Sequence, residues 1–418
     1  MSGMPTPRTA NLKPACQLFA AIAAVTLICT TADAMGRKPN RKSESAAAAP
    51  SMVEPETALI KTLVEIRNNR HETALGEVEK VISSYPNFRL AHLIKGDLLL
   101  SRSRPLRELG EAPNAPRERV EELRDEARVR LARYQRERPA EDRVPKFLLQ
   151  LNPERKHALI VDTRQSTLYV FENRNGQPHY LADYYVTIGK NGVDKFREGD
   201  KKTPLGVYHV TDNLPRAKLA DLYGSGAYPI SYPNEFDKRE GRGGTGIWLH
   251  GTPSDTYSRP PRASDGCVAL TNVDLDAIGK NLRVGVTPVI ISEGIEWVRP
   301  ETVDGLRKEL LGQVEGWRRD WESLDTETYL RHYAPGFTSG SQDLAAWSQQ
   351  KRNVNAGKTW IKLAIDRVSV FLYPGRDDLA VVTFEQNYAS SNLSNQMRKR
   401  QYWLHEKSGW RILYEGGA

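Results

Sequence analysis

The chain has 418 residues, of which 39% are hydrophobic, 8% aromatic and 27% charged, with a formal net charge of +8. Such ordinary soluble composition excludes a collagen-like or wholly disordered chain, and the length predicts two to four domains at roughly 100–200 residues each. The positive balance permits an acidic polymer as partner, but no zinc-finger, Walker or Rossmann spacing points to nucleic acid.

Residues 1–34 read as a secretory signal. Arg8 and Lys13 form the positive start, Ala15 to Cys29 the apolar run, and Ala32-Asp33-Ala34 the cleavage site. The apolar run is shorter than the ~20 residues that span a bilayer, and no second long run follows. The expectation is a periplasmic protein without a transmembrane segment after cleavage. Cys16 and Cys29 leave with the signal, so Cys267 remains as the single thiol. That excludes an intramolecular disulfide and marks Cys267 as a reactive thiol or an intermolecular bridge.

Residues 35–55, rich in Lys, Arg, Ser, Ala and Pro, read as a flexible linker. From 56 to 143 the pattern is helical. Leu59, Leu63 and Ile66 share one face; Ala74, Val78, Val81 and Ile82 share another; Tyr85-Pro86-Asn87 breaks the run. This helix–turn–helix spacing resembles one tetratricopeptide-type unit. A further charged helix is predicted over 117–138, with a narrow stripe of Val120, Leu123, Ala127, Leu131 and Tyr134. Such a stripe serves either a second copy, as a homodimer seam, or a cap on the neighbouring helices. The Arg-rich remainder is expected to be solvated.

From 144 to 298 the rhythm becomes β, with strands predicted at 158–161, 167–171, 184–188, 206–211, 246–250 and 287–292. A short helix follows Cys267, capped by Thr271 or Asn272. From 301 to 418 a helix carrying Leu306, Leu310, Val314, Trp317, Trp321 and Leu324 comes first, then a second over 329–337. Strands follow at 361–373, 379–390, 397–406 and 410–415, which makes an α+β domain.

The chemistry concentrates in two segments: Trp248-Leu249-His250-Gly251 and Ser264-Asp265-Gly266-Cys267-Val268. A thiolate is the nucleophilic form of cysteine, and a free thiol with pKa near ~8.5 is mostly protonated at neutral pH. A neighbouring imidazole lowers that cost by holding the proton as an ion pair, and later returns it to a leaving amine. Gly266 permits a tight turn whose N–H groups face a developing oxyanion, and Gly251 leaves a carbonyl free to orient the imidazole. The bland alternative is a small buried hydrophobe and a satisfied polar residue.

The His-Gly pair followed by Ser-x-Gly-Cys-Val resembles the signature of the L,D-transpeptidase catalytic domain, the YkuD family, a β-rich cysteine-enzyme fold acting on peptidoglycan. Leu168 to Phe171, Lys202 to Tyr208 and Tyr232-Pro233-Asn234 look like family segments in the same order. The C-terminal part is similar to NTF2-like domains. Together the three regions look like the L,D-carboxypeptidases that set helical cell shape. The resemblance implies Cys267 as nucleophile, His250 as base, Gly251 as the orienting carbonyl, and Ser264, Asp265 and Gly266 as the nucleophile turn. The implied partner is a peptidoglycan stem peptide, cleaved between diaminopimelate and D-alanine through a thioester. An amine acceptor gives transpeptidation; water trims a tetrapeptide to a tripeptide. A non-catalytic cell-wall scaffold is the third reading. Asp265 stands where histidine is common and Ala269 where arginine or asparagine is common, so the acceptor stays open. Arg239, Arg242, Arg259 and Arg262, with Tyr232 and Asn234, are the substrate-side candidates, since a guanidinium fork suits carboxylates. In the C-terminal domain, Tyr329, His332 and Trp347 either line a pocket or form core. No cofactor or metal is expected: His157, His179 and His209 lack ligand spacing.

Overall fold

A computed structural model describes residues 54–112 and 114–418. The signal segment, and all of the linker but its last two residues, lie outside the described residues. Those two residues are helical in role: Glu54 caps helix α1 (Pro55–Arg67) by accepting from Thr57 N at 2.5 Å, and Pro55 occupies its first turn. Next come α2 (His71–Ser84), α3 (Arg89–Leu100) and α4 (Arg117–Gln135). Leu59, Ala74, Val78, Val81, Leu90 and Ile94 form their shared core. Tyr257, from far along the chain, inserts into it and packs on Tyr85 and Phe88.

The α4 stripe differs from its sequence reading. Val120 and Ala127 are buried, but so are Glu126 and Arg130, while Tyr134 is 61% exposed. The face is turned by a buried ion network that apolar periodicity does not register. Arg130 contacts Glu56 of α1 and Glu126 of its own helix, and Glu126 Oε1 accepts from Ser258 Oγ at 2.6 Å. Arg133 reaches Asp183 Oδ1 at 2.6 Å. The helices are thereby fastened to the β-rich region.

That region is built on a five-stranded sheet in the order Gln177–Tyr185, Thr167–Arg174, His157–Asp162, Pro288–Ser292, Gly206–His209. The His157 and Pro288 strands are parallel, and the other pairs antiparallel. Side chains alternate along each strand, and here both faces are covered. Leu159, Val161, Leu168, Val170, Val289 and Ile291 face one core. Ala158, Ile160, Tyr169, Phe171 and Ile290 face another, which continues into the C-terminal region. A four-stranded sheet, Val268–Ala269, Trp248–His250, Gly226–Pro229, Leu214–Pro215, carries the residues of the candidate site. Helix α5 (Glu235–Arg239) packs Phe236 on Tyr373 and Tyr402, and α6 (Asn272–Gly279) lies beside Trp248–His250; the cap of α6 is Thr271, whose Oγ1 accepts from Asp274 N at 3.1 Å.

In the C-terminal region α7 (Pro300–Glu322) lays Leu310, Val314, Trp317 and Trp321 into a common core with a seven-stranded sheet. Residues 333–337 are strand rather than helix. The short α8 (Thr326–Leu330) stops before Tyr333–Ser339, which pairs in parallel with the last strand, and Pro335-Gly336 suits an extended path. Helix α9 (Leu344–Ala356) follows. The far edge of this sheet is Leu148–Gln150, pairing with Ile361–Tyr373, although it lies within the span read as the central domain. Tyr329 and Trp347 are core, and His332 Nε2 sits 2.7 Å from Asp320 Oδ2.

Candidate active site

His250 ends its strand beside Val268–Ala269, in parallel register: Leu249 pairs with Val268 and His250 with Ala269. Cys267 immediately precedes Val268, in the bend that enters this strand, and its thiol lies against the backbone of Gly246 and Trp248, on the segment that ends in His250. The imidazole is buried, with Nδ1 2.7 Å from the Gly251 carbonyl and Tyr223 edge-on to the ring at 5.2 Å. The Cys267 thiol, half-buried, donates to the Gly246 carbonyl at 3.2 Å.

Three polar side chains hold this arrangement. Ser264 Oγ donates to the Cys267 carbonyl at 2.6 Å and accepts from Gly266 N at 3.1 Å, closing the turn. Thr203 Oγ1 donates to the Gly266 carbonyl at 2.9 Å. Gly266 has φ +124°, and a Cβ there would lie 2.7 Å from the Lys202 carbonyl oxygen, so the turn requires glycine. Asn272 is the third. Its Oδ1 accepts from Ser225 N at 2.8 Å and Thr252 N at 3.1 Å, and its Nδ2 donates to the Thr252 carbonyl at 2.9 Å. A Cβ at Gly251 would lie 2.1 Å from that Oδ1. Sequence reasoning weighed Asn272 only as a helix cap; its place one residue past the cap was the available signal.

The electrostatics differ from the expected ion pair. Burial holds the His250 imidazole down to about 4, with Arg259 adding to the effect and the Gly251 carbonyl opposing it. Burial pushes the Cys267 thiol up and Asp265 adds to it, against the Trp248 amide, Arg259 and Lys195. Both groups are therefore neutral at rest near pH 7. A neutral imidazole is a competent proton acceptor.

The substrate-side candidates separate. Arg259 lies near His250, Cys267 and Asp265 and is coupled to them electrostatically. Asp265 is exposed and 3.7 Å from Lys190 Nζ. Arg242 contacts Asp194 and the Lys195 carbonyl, and Arg262 is exposed on its strand. The rest are taken up by the fold. Arg239 donates to the Gly336 carbonyl at 2.7 Å, in the C-terminal region. Tyr232 is buried with its hydroxyl on the Gly243 carbonyl at 2.8 Å. Asn234 is buried as the cap of α5, with Nδ2 on the Val207 carbonyl at 3.2 Å. Tyr232 and Asn234 are buried in these contacts, whereas Arg239 is exposed and turned to the C-terminal region by its bond to Gly336. Among the described residues, no cluster of three or more His, Cys, Asp or Glu is placed to hold a metal.

Known proteins match this arrangement. The profile of the YkuD L,D-transpeptidase catalytic domain matches residues 156–291, and that of the Cds6 C-terminal NTF2-like domain matches 309–416. The structure of Bd1075 from Bdellovibrio bacteriovorus is 31% identical, with TM-score 0.58, over 66% of this chain and 98% of its own. This chain belongs to the YkuD family. The helical cell shape determining protein Pgp2 from Campylobacter jejuni, at 24% identity and TM-score 0.54, shares the fold over 65% of this chain and 95% of its own. No curated protein matches the sequence. The YkuD domain and the NTF2-like domain account for both β-rich regions, and α1–α4 precede the two matched segments.

Proposed function

We propose that this YkuD-family protein is an exported cysteine acyl-transfer enzyme acting on peptidoglycan stem peptides, at the amide between diaminopimelate and the terminal D-alanine. The observation that carries the reading is the parallel register of Trp248–His250 with Val268–Ala269, which supports Cys267, one residue before Val268, lying against the strand that ends in His250, whose Nδ1 is engaged by Gly251. That engagement makes Nδ1 the protonated nitrogen and leaves Nε2 to accept a proton. Cys267 Sγ bonds to the stem carbonyl carbon as its proton passes to His250. The amide N–H of Gly266 is taken by Ser264 and is not free for the developing oxyanion. The C–N bond then breaks, the proton moves to the leaving amine, and D-alanine departs from a thioester. Water returns a tripeptide; an amine gives a cross-link.

Incubating the protein with disaccharide tetrapeptide, with and without an amine acceptor, and weighing the products tests this. Loss of D-alanine with wild type but not with Cys267→Ala is expected, and the second product distinguishes cross-link from tripeptide. An unchanged tetrapeptide in both arms, with Cys267 alkylatable, would sink the reading.

A further inference from the structure

The interval between His250 and Cys267 is held by the helical region rather than left as a free loop. Asn87 Nδ2 donates to the Ser254 carbonyl at 3.1 Å, Arg89 pairs with Asp255 at 2.7 Å, Tyr257 sits in the helical core, and Ser258 bonds Glu126. Between α4 and residues 253–263 this leaves a cavity of about 470 Å³, within the ~300–1,000 Å³ of small-ligand sites. Its walls are charged. Arg89 and Lys190 spend their charge on Asp255 and Asp265. Arg119 and Arg259, on opposite walls, have no carboxylate within ion-pair distance among the described residues, nor do Glu118 and Glu122 have a cation.

We propose that this groove, completed by α4, binds a zwitterionic peptide segment of the substrate: Arg119 and Arg259 take a carboxylate, and Glu118 and Glu122 take an ammonium. This rests on the acyl-transfer reading above, because Arg259 joins the groove to Cys267 and a diaminopimelate residue beside the scissile amide carries both charges. The helices lie outside both matched family segments. A guanidinium–carboxylate bond desolvated on binding is worth roughly tenfold or more in affinity.

Arg119 is exposed, so replacing it leaves the fold unburdened. The experiment compares wild type, Arg119→Ala and Arg119→Lys on the tetrapeptide stem and on the same stem with the free diaminopimelate carboxylate amidated. Expected are a KM raised about tenfold in Arg119→Ala, partial rescue by Arg119→Lys, and unchanged kcat and iodoacetamide reactivity. The amidated stem should penalise wild type more than Arg119→Ala, in which Arg259 alone is left to meet the carboxylate. An unchanged KM overturns the proposal, as does a peptide-free disaccharide that competes as well as the stem. If no stem is turned over, calorimetric binding of the tetrapeptide in a Cys267→Ala background decides. Weakening on adding Arg119→Ala keeps the groove while the acyl-transfer reading fails; equal or absent binding removes the groove.

Discussion

A thiol and an imidazole that rest neutral set the pH behaviour of the site. His250 accepts a proton only while unprotonated, and burial has moved its titration from 6.5 to about 4. The acid limb of kcat/KM should therefore fall near pH 4, with no step at 6.5. A pH–rate profile checks this, and a limb at 6.5 would mean a solvated imidazole. Alkylation of Cys267 should keep accelerating beyond pH 9, because its thiol is pushed above 9.0. The same burial affects stability. Between pH 6.5 and 4 the unfolded imidazole binds a proton that the folded one refuses, so stability falls as pH drops through that window. Gly266→Ala tests the turn: a Cβ 2.7 Å from a carbonyl at φ +124° should cost about 1–3 kcal/mol in urea unfolding and lower kcat.

Among elements, α4 is the informative one. Arg130 is 1% exposed, contacts Glu56 and Glu126, and lies 4.0 Å over the Tyr185 ring. Arg130→Ala would strand the Glu126 carboxylate in the interior, at about 3–5 kcal/mol. Arg130→Met combined with Glu126→Gln should cost clearly less, and the two unfolding curves make the comparison. A smaller loss for the single variant would mean that water reaches Glu126. This network also marks where the sequence was legible. Strands such as His157–Asp162 and Pro288–Ser292 are runs of β-branched and aliphatic residues, which period and composition identify directly. The Cys267 turn is legible because Gly, Ser and Cys have few common uses together. Buried charges defeat the same reasoning, since Glu126 and Arg130 pattern as solvent-facing and only tertiary partners say otherwise. Leu148–Gln150 shows a different limit: three residues are too few to carry an alternation, so the sequence reading placed no strand there and only its pairing with Ile361–Tyr373 reveals one.

At the scale of the molecule, the central sheet belongs to two cores at once. Ala158, Ile160, Tyr169, Phe171 and Ile290 are covered by the C-terminal region. A chain ending at 298 should expose that face, bind hydrophobic dye and aggregate, while the full chain should unfold its two β-rich regions in one calorimetric transition. A soluble, active truncation would contradict the shared core. The two-faced sheet also constrains how the sequence can drift. A half-buried strand tolerates exchange at its less buried positions, and the edge strand Gln177–Tyr185 is only partly buried along most of its length. Leu159, Ile160 and Val161 have no such outlet, nor do Val289, Ile290 and Ile291, because each neighbour in the run faces a different interior. A saturation-mutagenesis map should show unbroken intolerance to polar residues across these two triplets, one wall of it enforced by the YkuD half and the other by the NTF2-like half, so that neither half can change its packing without the consent of the other.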